Sequence, residues 1–173
     1  KKEGITELRG DRSEMQRLFK QVDVFSVKKY RGNPVAVVFL TEGPPLSDAA
    51  MQLFAKWTNL AETTFICPPV HSEADYLLRI FTTTRELPFA GHPTLGSCHA
   101  WLESGGVPRN KEFIVQECGA GLIKLTQRTN GDGDNAAHTL SFAAPPLITS
   151  GPLDEDEVLQ IAKSLGVARS EIL

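Results

Sequence analysis

Two short stretches carry residue types that could move protons. The first is "TNLAETTF", where Glu62 sits beside Leu60, Ala61 and Phe65, between a helix-like run and a strand-like one. A carboxylate in apolar surroundings has its charged form disfavoured, which suits it to accept a proton and return it. The same residue could equally be a solvated loop charge or a cap. The second is "LPFAGHPTLGSCHAWL", which puts Gly91-His92-Pro93-Thr94 at the point where a strand-like run becomes a helix. A helix start leaves backbone N–H groups unpaired, and the helix dipole favours an anion such as a carboxylate there. At that entrance His92 could donate a hydrogen bond or relay a proton near neutral pH, or it could simply cap the helix.

Other reactive residue types read as structural. Cys98 falls well inside the helix that follows His92 and is expected to be a small hydrophobe rather than a nucleophile. His99 beside it is expected to pack. Asp132 and Asp134 in "GDGDN" lack the remaining positions of a calcium loop and read as a turn. The "GAG" at Gly119 lacks the third glycine and the helix of a dinucleotide fingerprint. The 3 cysteines, Cys67, Cys98 and Cys118, are far apart with no C-x-x-C, which argues against a disulfide framework and a structural zinc site. No calcium loop, dinucleotide site or structural zinc site is therefore expected.

The elements that must position Glu62 and His92 follow from apolar periodicity. "QVDVFSV" alternates Val22, Val24 and Val27 as a strand would, and "NPVAVVFL" is an apolar run of strand length. "LSDAAMQLFAKWTNL" predicts an amphipathic helix capped by Ser47, with Met51, Phe54, Ala55 and Trp57 or Thr58 facing inward. "ETTFICPP" and "DYLLRIFTTT" predict two more strands. The next helix has Pro93 in its first turn, Gly105 and Gly106 as its stop, and small residues at Gly96, Ser97 and Ala100, which describes a buried helix wrapped by sheet. "EFIVQECGAGLIKLTQRTN" reads as two strands hinged at Gly119 to Gly121, and "AHTLSFAAPPLI" as the returning strand. An amphipathic helix from Asp154 to Val167 closes the sequence. Residues 1–20 are thus expected to be a tail, 21–149 a lobe, and 150–173 a linker and helix that either docks back or begins a second lobe.

Composition narrows the partners. The 173 residues carry a net charge of −3, with 41% apolar and 23% charged residues, ordinary values for a globular protein. Lys and Arg are scattered, so neither nucleic acid nor an anionic membrane is an expected partner. No apolar stretch reaches the roughly 20 residues needed to span a bilayer, and a reducing, cytoplasmic setting is the default.

Taken together, "VDVF", "GNPVAVV", "MQLFAKWTNLAETTF", "RIFTTTRELPFAGHPTLGSCHAWL" and "IAKSLGV" resemble the phenazine-biosynthesis (PhzF-like) isomerase family from Val22 onward. The resemblance implies an α+β fold like that of diaminopimelate epimerase: a mostly antiparallel sheet rolled around a central helix, here the one beginning at His92. It implies that Glu62 and His92 are the catalytic residues: Glu62 shuttles a proton between substrate carbons without metal or organic cofactor, and His92 helps to bind or protonate the substrate. It further implies that Gly91 and His92, with Pro93 and Thr94 at the same helix entrance, bind a small carboxylate substrate, and that the protein is a homodimer. The epimerases of this fold carry a cysteine base where this chain has Ala90-Gly91-His92, so two-thiol racemisation is not expected. The family's second lobe completes the cleft, and the chain is expected to be a one-lobe piece with little activity alone. Two other readings stay open: a non-catalytic binding or self-associating module on the same scaffold, and a cofactor-free racemase using Glu62 with a second base.

Overall fold

The computed structural model describes residues 16–130, 137–144 and 150–172. Strand β1 (Phe19–Val24) pairs antiparallel with β2 (Asn33–Phe39). Helix α1 (Asp48–Thr58) then crosses over, so that β3 (Thr63–Cys67) lies parallel to β2. Strand β4 (Tyr76–Phe81) returns antiparallel to β3 and carries the short β5 (Glu86–Leu87). A second crossover through α2 (Gly91–Glu103) sets β6 (Ile114–Cys118) parallel to β4. The antiparallel strands β7 (Gly121–Asn130) and β8 (Ala137–Phe142) finish a sheet of order β1-β2-β3-β4-β6-β7-β8.

This sheet is rolled. Helix α2 packs against β1, β2, β3 and β4 and also against β8, so the first and last strands touch the same helix. Inward-facing Val35, Val37, Phe39, Ile66, Leu78, Ile80, Ile114, Ile123 and Leu125 surround Cys98 and Ala100 of α2. The alternate residues Val38, Phe65 and Phe81 face outward and are covered by Met51 and Ala55 of α1. Strands β2 and β3 are therefore buried on both faces, which is why they read as continuous rather than alternating apolar runs.

The caps follow the sequence. Ser47 accepts from the Ala50 N–H at the start of α1, and Asn59 closes that helix in the left-handed region at φ 55°. Strands β6 and β7 are hinged as expected, with Gly121 at φ 99°. Three expectations need correction: where β1 begins, where it ends, and the packing of His99. β1 begins at Phe19, inside the stretch read as a tail, and ends at Val24, because Phe25 turns the chain at φ 67°. Val27, which is also out of phase with Val22 and Val24, is consequently fully exposed instead of lying on the strand's apolar face. On α1, Thr58 is the half-buried one of the expected Trp57 or Thr58, and Trp57 points outward. His99 is exposed on α2 rather than packed. The "GDGDN" turn with Asp132 and Asp134 lies outside the described residues.

The chain divides between Ala143 and Ala144 into two compact units. In the second, α3 (Glu155–Leu165) opens with a capping box between Asp154 and Glu157 and ends at Gly166 in the left-handed region. A short 3₁₀ turn (Arg169–Glu171) follows, and Arg169 pairs with Glu155 at 2.7 Å. Ala162 is the buried residue of α3, while Leu159 and Leu165 are exposed. Among the described residues, no helix is long and apolar enough to cross a membrane.

Close approach of sheet to α2 is sharpest at Gly96, where a Cβ would stand 2.5 Å from Val35 Cγ1 and 2.8 Å from Val24 Cγ2. Gly96→Val should therefore overpack the lobe and lower its unfolding free energy by about 1–3 kcal/mol. Leu53→Ala on the exposed side of α1 should change it by less than about 0.5 kcal/mol. Urea denaturation of both variants checks the contrast.

Candidate functional site

The parallel strands β2 and β3 start at the same end of the sheet, and the first turn of α2 arrives there too. Asn33 is the first residue of β2, and Glu62 immediately precedes β3. The Ala36 N–H donates to the Glu62 carbonyl at 3.4 Å, which holds Glu62 to the β2 backbone. Inside this corner Glu62 Oε2 lies 2.9 Å from His92 Nδ1, and His92 Nε2 lies 2.8 Å from the Asn33 carbonyl oxygen. The two side chains are 19% and 9% exposed, open enough for a ligand to reach the carboxylate and too enclosed for free hydration.

These distances count a proton. The Asn33 carbonyl can only accept, so His92 Nε2 carries a hydrogen and donates it. Were Nδ1 then bare and Glu62 ionised, two lone pairs would face each other at 2.9 Å. A proton between Nδ1 and Oε2 removes that repulsion, whether written as imidazolium against carboxylate or as imidazole against carboxylic acid. Glu62 Oε1 makes no hydrogen bond among the described residues. The sequence expectation of an apolar setting for Glu62 is thus corrected: its nearest neighbour is an imidazole.

The start of α2 suits an anion. Ala90 at the N-cap position has extended backbone and no capping side chain, and the first turn holds no acidic residue. Gly91 is needed here, because a Cβ would come within 2.8 Å of the Phe142 ring. Pro93 and Thr94 depart from the sequence expectation. Both are buried, the Thr94 N–H is used by the Ala90 carbonyl, and its hydroxyl accepts from Gln116 Nε2 at 3.1 Å. They are packed into the interior, and the partly exposed residues of this turn are Gly91 and His92.

Sequence reasoning missed Asn33 and Phe25. Asn33 acts through its carbonyl, which every residue type possesses, so only the fold could reveal it. Phe25 lies with its ring centroid 5.9 Å from that of His92 and is 71% exposed, and an aromatic residue at φ 67° carries no local sequence signal. Cys98 behaves as expected: it is fully buried, and burial pushes its thiol up to about 12. No group of acidic, histidine or cysteine side chains suited to a metal occurs among the described residues.

A groove of about 700 Å³ runs along α2 between β1 and β8, lined by Val24, Phe25, Leu95, His99 and Leu140, and it does not include Glu62 or His92. Its carboxylates are already engaged: Asp23 accepts from the Arg31 and Gly32 N–H groups, and Glu103 pairs with Lys20. The Glu62–His92 corner is thus the candidate site on hydrogen-bonding grounds, and the groove along α2 is not.

Residues 22–172 match the family model described as phenazine biosynthesis-like protein. Antisense-enhancing sequence 1 of Schizosaccharomyces pombe is 48% identical over 86% of this chain and 48% of its own length. A trans-2,3-dihydro-3-hydroxyanthranilate isomerase of Pseudomonas fluorescens is 47% identical over 86% of this chain and 49% of its own. Among solved structures, a phenazine biosynthesis protein of the PhzF family from Bacillus anthracis superposes with a TM-score of 0.60 at 27% identity, over 73% of this chain and 40% of that one. A structure described as a predicted epimerase from Pseudomonas aeruginosa gives 0.63 at 27% identity, over 90% and 52%. The fold is the α+β, epimerase-like lobe, and the chain spans about half the length of the curated relatives it matches.

The raised thiol gives a direct check on the interior of this site. At pH 8 Cys98 remains a buried thiol, so iodoacetamide should leave it unmodified in the folded protein and label it in 6 M guanidinium, a difference read by peptide mass spectrometry.

Proposed function

The chain belongs to the phenazine biosynthesis-like protein family, and from that premise we propose that it is the lobe of a cofactor-independent isomerase in which Glu62 transfers a proton between two carbons of a small carboxylate substrate. The observation that carries this reading is the Glu62–His92 hydrogen bond at 2.9 Å, backed by the Asn33 carbonyl.

The pair supplies both halves of the reaction. With the proton on His92, Glu62 is a carboxylate whose free Oε1 takes a proton from a carbon next to an unsaturated system. The C–H electron pair moves into that system, and the adjacent imidazolium stabilises the negative charge that develops. Glu62, now a carboxylic acid, gives the same proton to the far end of the conjugated system. One C–H bond breaks, another forms, and the double bond shifts, with no oxidant or reductant consumed. The Gly91 and His92 N–H groups at the start of α2 hold the substrate carboxylate.

A second reading has one observation in its favour: the Schizosaccharomyces pombe relative carries a name that refers to antisense enhancement and to no isomerisation. In that reading the lobe is a binding or self-associating module. Solvent-deuterium uptake into trans-2,3-dihydro-3-hydroxyanthranilate by the full-length protein separates the two. The isomerase reading expects uptake that Glu62→Gln lowers by about 10²–10⁴-fold. Uptake indifferent to that substitution contradicts it, and binding without any uptake favours the module. Because the isomerase relatives are about twice as long, the 173-residue chain alone should turn over slowly, and a rate equal to that of the full-length protein would contradict the one-lobe assignment.

A further inference from the structure

Glu62 is followed by two threonines, both almost fully buried and pointing to opposite faces of β3. Thr64 faces α2: its Oγ1 lies 3.2 Å from the Ala36 carbonyl oxygen on β2 and 2.8 Å from Ser97 Oγ on α2. The carbonyl only accepts, so the single O–H of Thr64 goes to Ala36, and Ser97 donates to Thr64. Thr63 faces α1 in the same manner. Thr58 Oγ1 donates to the Ala55 carbonyl at 2.9 Å, which leaves Thr63 to donate to Thr58 at 2.6 Å.

The first of these relays joins the three elements that carry the proposed site. Ser97 belongs to the helix that begins at His92, Thr64 to the strand that begins after Glu62, and Ala36 to the strand that begins at Asn33. The second joins β3 to α1, which contributes no residue to the site. A hydroxyl inside an apolar core costs free energy unless it is paired, and among the described residues every buried side-chain polar atom is paired. Val would fit either threonine position and would serve packing alone.

We propose that Thr64 and Ser97 are positioning residues: their relay to the Ala36 carbonyl fixes β2, β3 and α2 against one another so that Glu62, His92 and Asn33 stay within hydrogen-bonding distance. Thr63 is the internal control, since its relay ties β3 to a helix outside the site. The relay's value for turnover rests on the isomerase reading above, whereas its effect on His92 geometry does not.

The test follows the ring N–H signals of His92 by ¹⁵N NMR in the 173-residue chain. Wild type should show slowly exchanging Nε2–H and Nδ1–H protons. Thr64→Val should lose them to exchange, Thr64→Ser should restore them, and Thr63→Val should keep them although its melting temperature falls as well. A folded Thr64→Val protein with wild-type His92 signals would overturn the proposal, as would an equal loss in Thr63→Val. Should Thr64→Val fail to fold, Ser97→Ala decides by the same signals, loss supporting the relay and retention overturning it. In the full-length protein, kcat for trans-2,3-dihydro-3-hydroxyanthranilate should fall about tenfold or more in Thr64→Val with KM little changed, because small misplacements of a reacting group are costly. If Glu62→Gln leaves that kcat unchanged, the isomerase reading fails, and the His92 signals still judge the relay.

Discussion

Enclosure of α2 by the sheet is the constraint on which the remainder of the structure depends. A helix touched by β1 at one end of the sheet and β8 at the other has little room for polar or bulky side chains. Its interior is accordingly built from Gly96, Ser97, Cys98 and Ala100, all buried, and Val24 and Val35 come so close that a Cβ at Gly96 would stand 2.8 Å and 2.5 Å from their methyl groups. Close packing makes such a helix poorly able to slide, since interiors are as dense as organic crystals. The first turn of this held helix ends beside the starts of β2 and β3, and Gly91 and His92 stand there half-buried.

A fixed helix start allows a proton to be held between two side chains. His92 is bonded at both ring nitrogens, to a carboxylate on one side and a backbone carbonyl on the other. The backbone partner cannot ionise, so it sets the tautomer, and all remaining protonation freedom falls on the Glu62 side of the ring. A group that must take a proton and give it back benefits from this arrangement, because the imidazole can hold charge while the carboxylate exchanges hydrogen with carbon. Burial of the pair, short of complete, strengthens these interactions by excluding most water.

Much of the lobe was legible in the chain because its signals are local. Ser47 and Asp154 are N-cap residues with their expected partners, and the hinge at Gly119 to Gly121 needs a residue that tolerates positive φ. The small residues of α2 announced a helix meant to be surrounded. Glu62 and His92 could be nominated by residue type, yet their hydrogen bond depends on a parallel β2–β3 pairing that no local pattern encodes. Pro93 and Thr94 share the helix entrance with Gly91 and His92 in the sequence, and the direction of the first helical turn, which buries both, is set by the fold. Asn33 was invisible because it contributes backbone, whereas the end of β1 at Val24 has a trace in "QVDVFSV": Ser26 stands where a third apolar residue in phase with Val22 and Val24 would be. The two threonines after Glu62 read as ordinary β-branched strand residues until their hydroxyl partners were seen.

The account turns on one proton between Glu62 and His92, and neutron diffraction from deuterium-exchanged crystals observes that proton directly. The account predicts a deuteron on His92 Nε2 directed at the Asn33 carbonyl and a second one in the gap between Nδ1 and Glu62 Oε2. A bare Nδ1 facing an unprotonated Glu62, or a Glu62 carboxylate turned away from the ring, would contradict it.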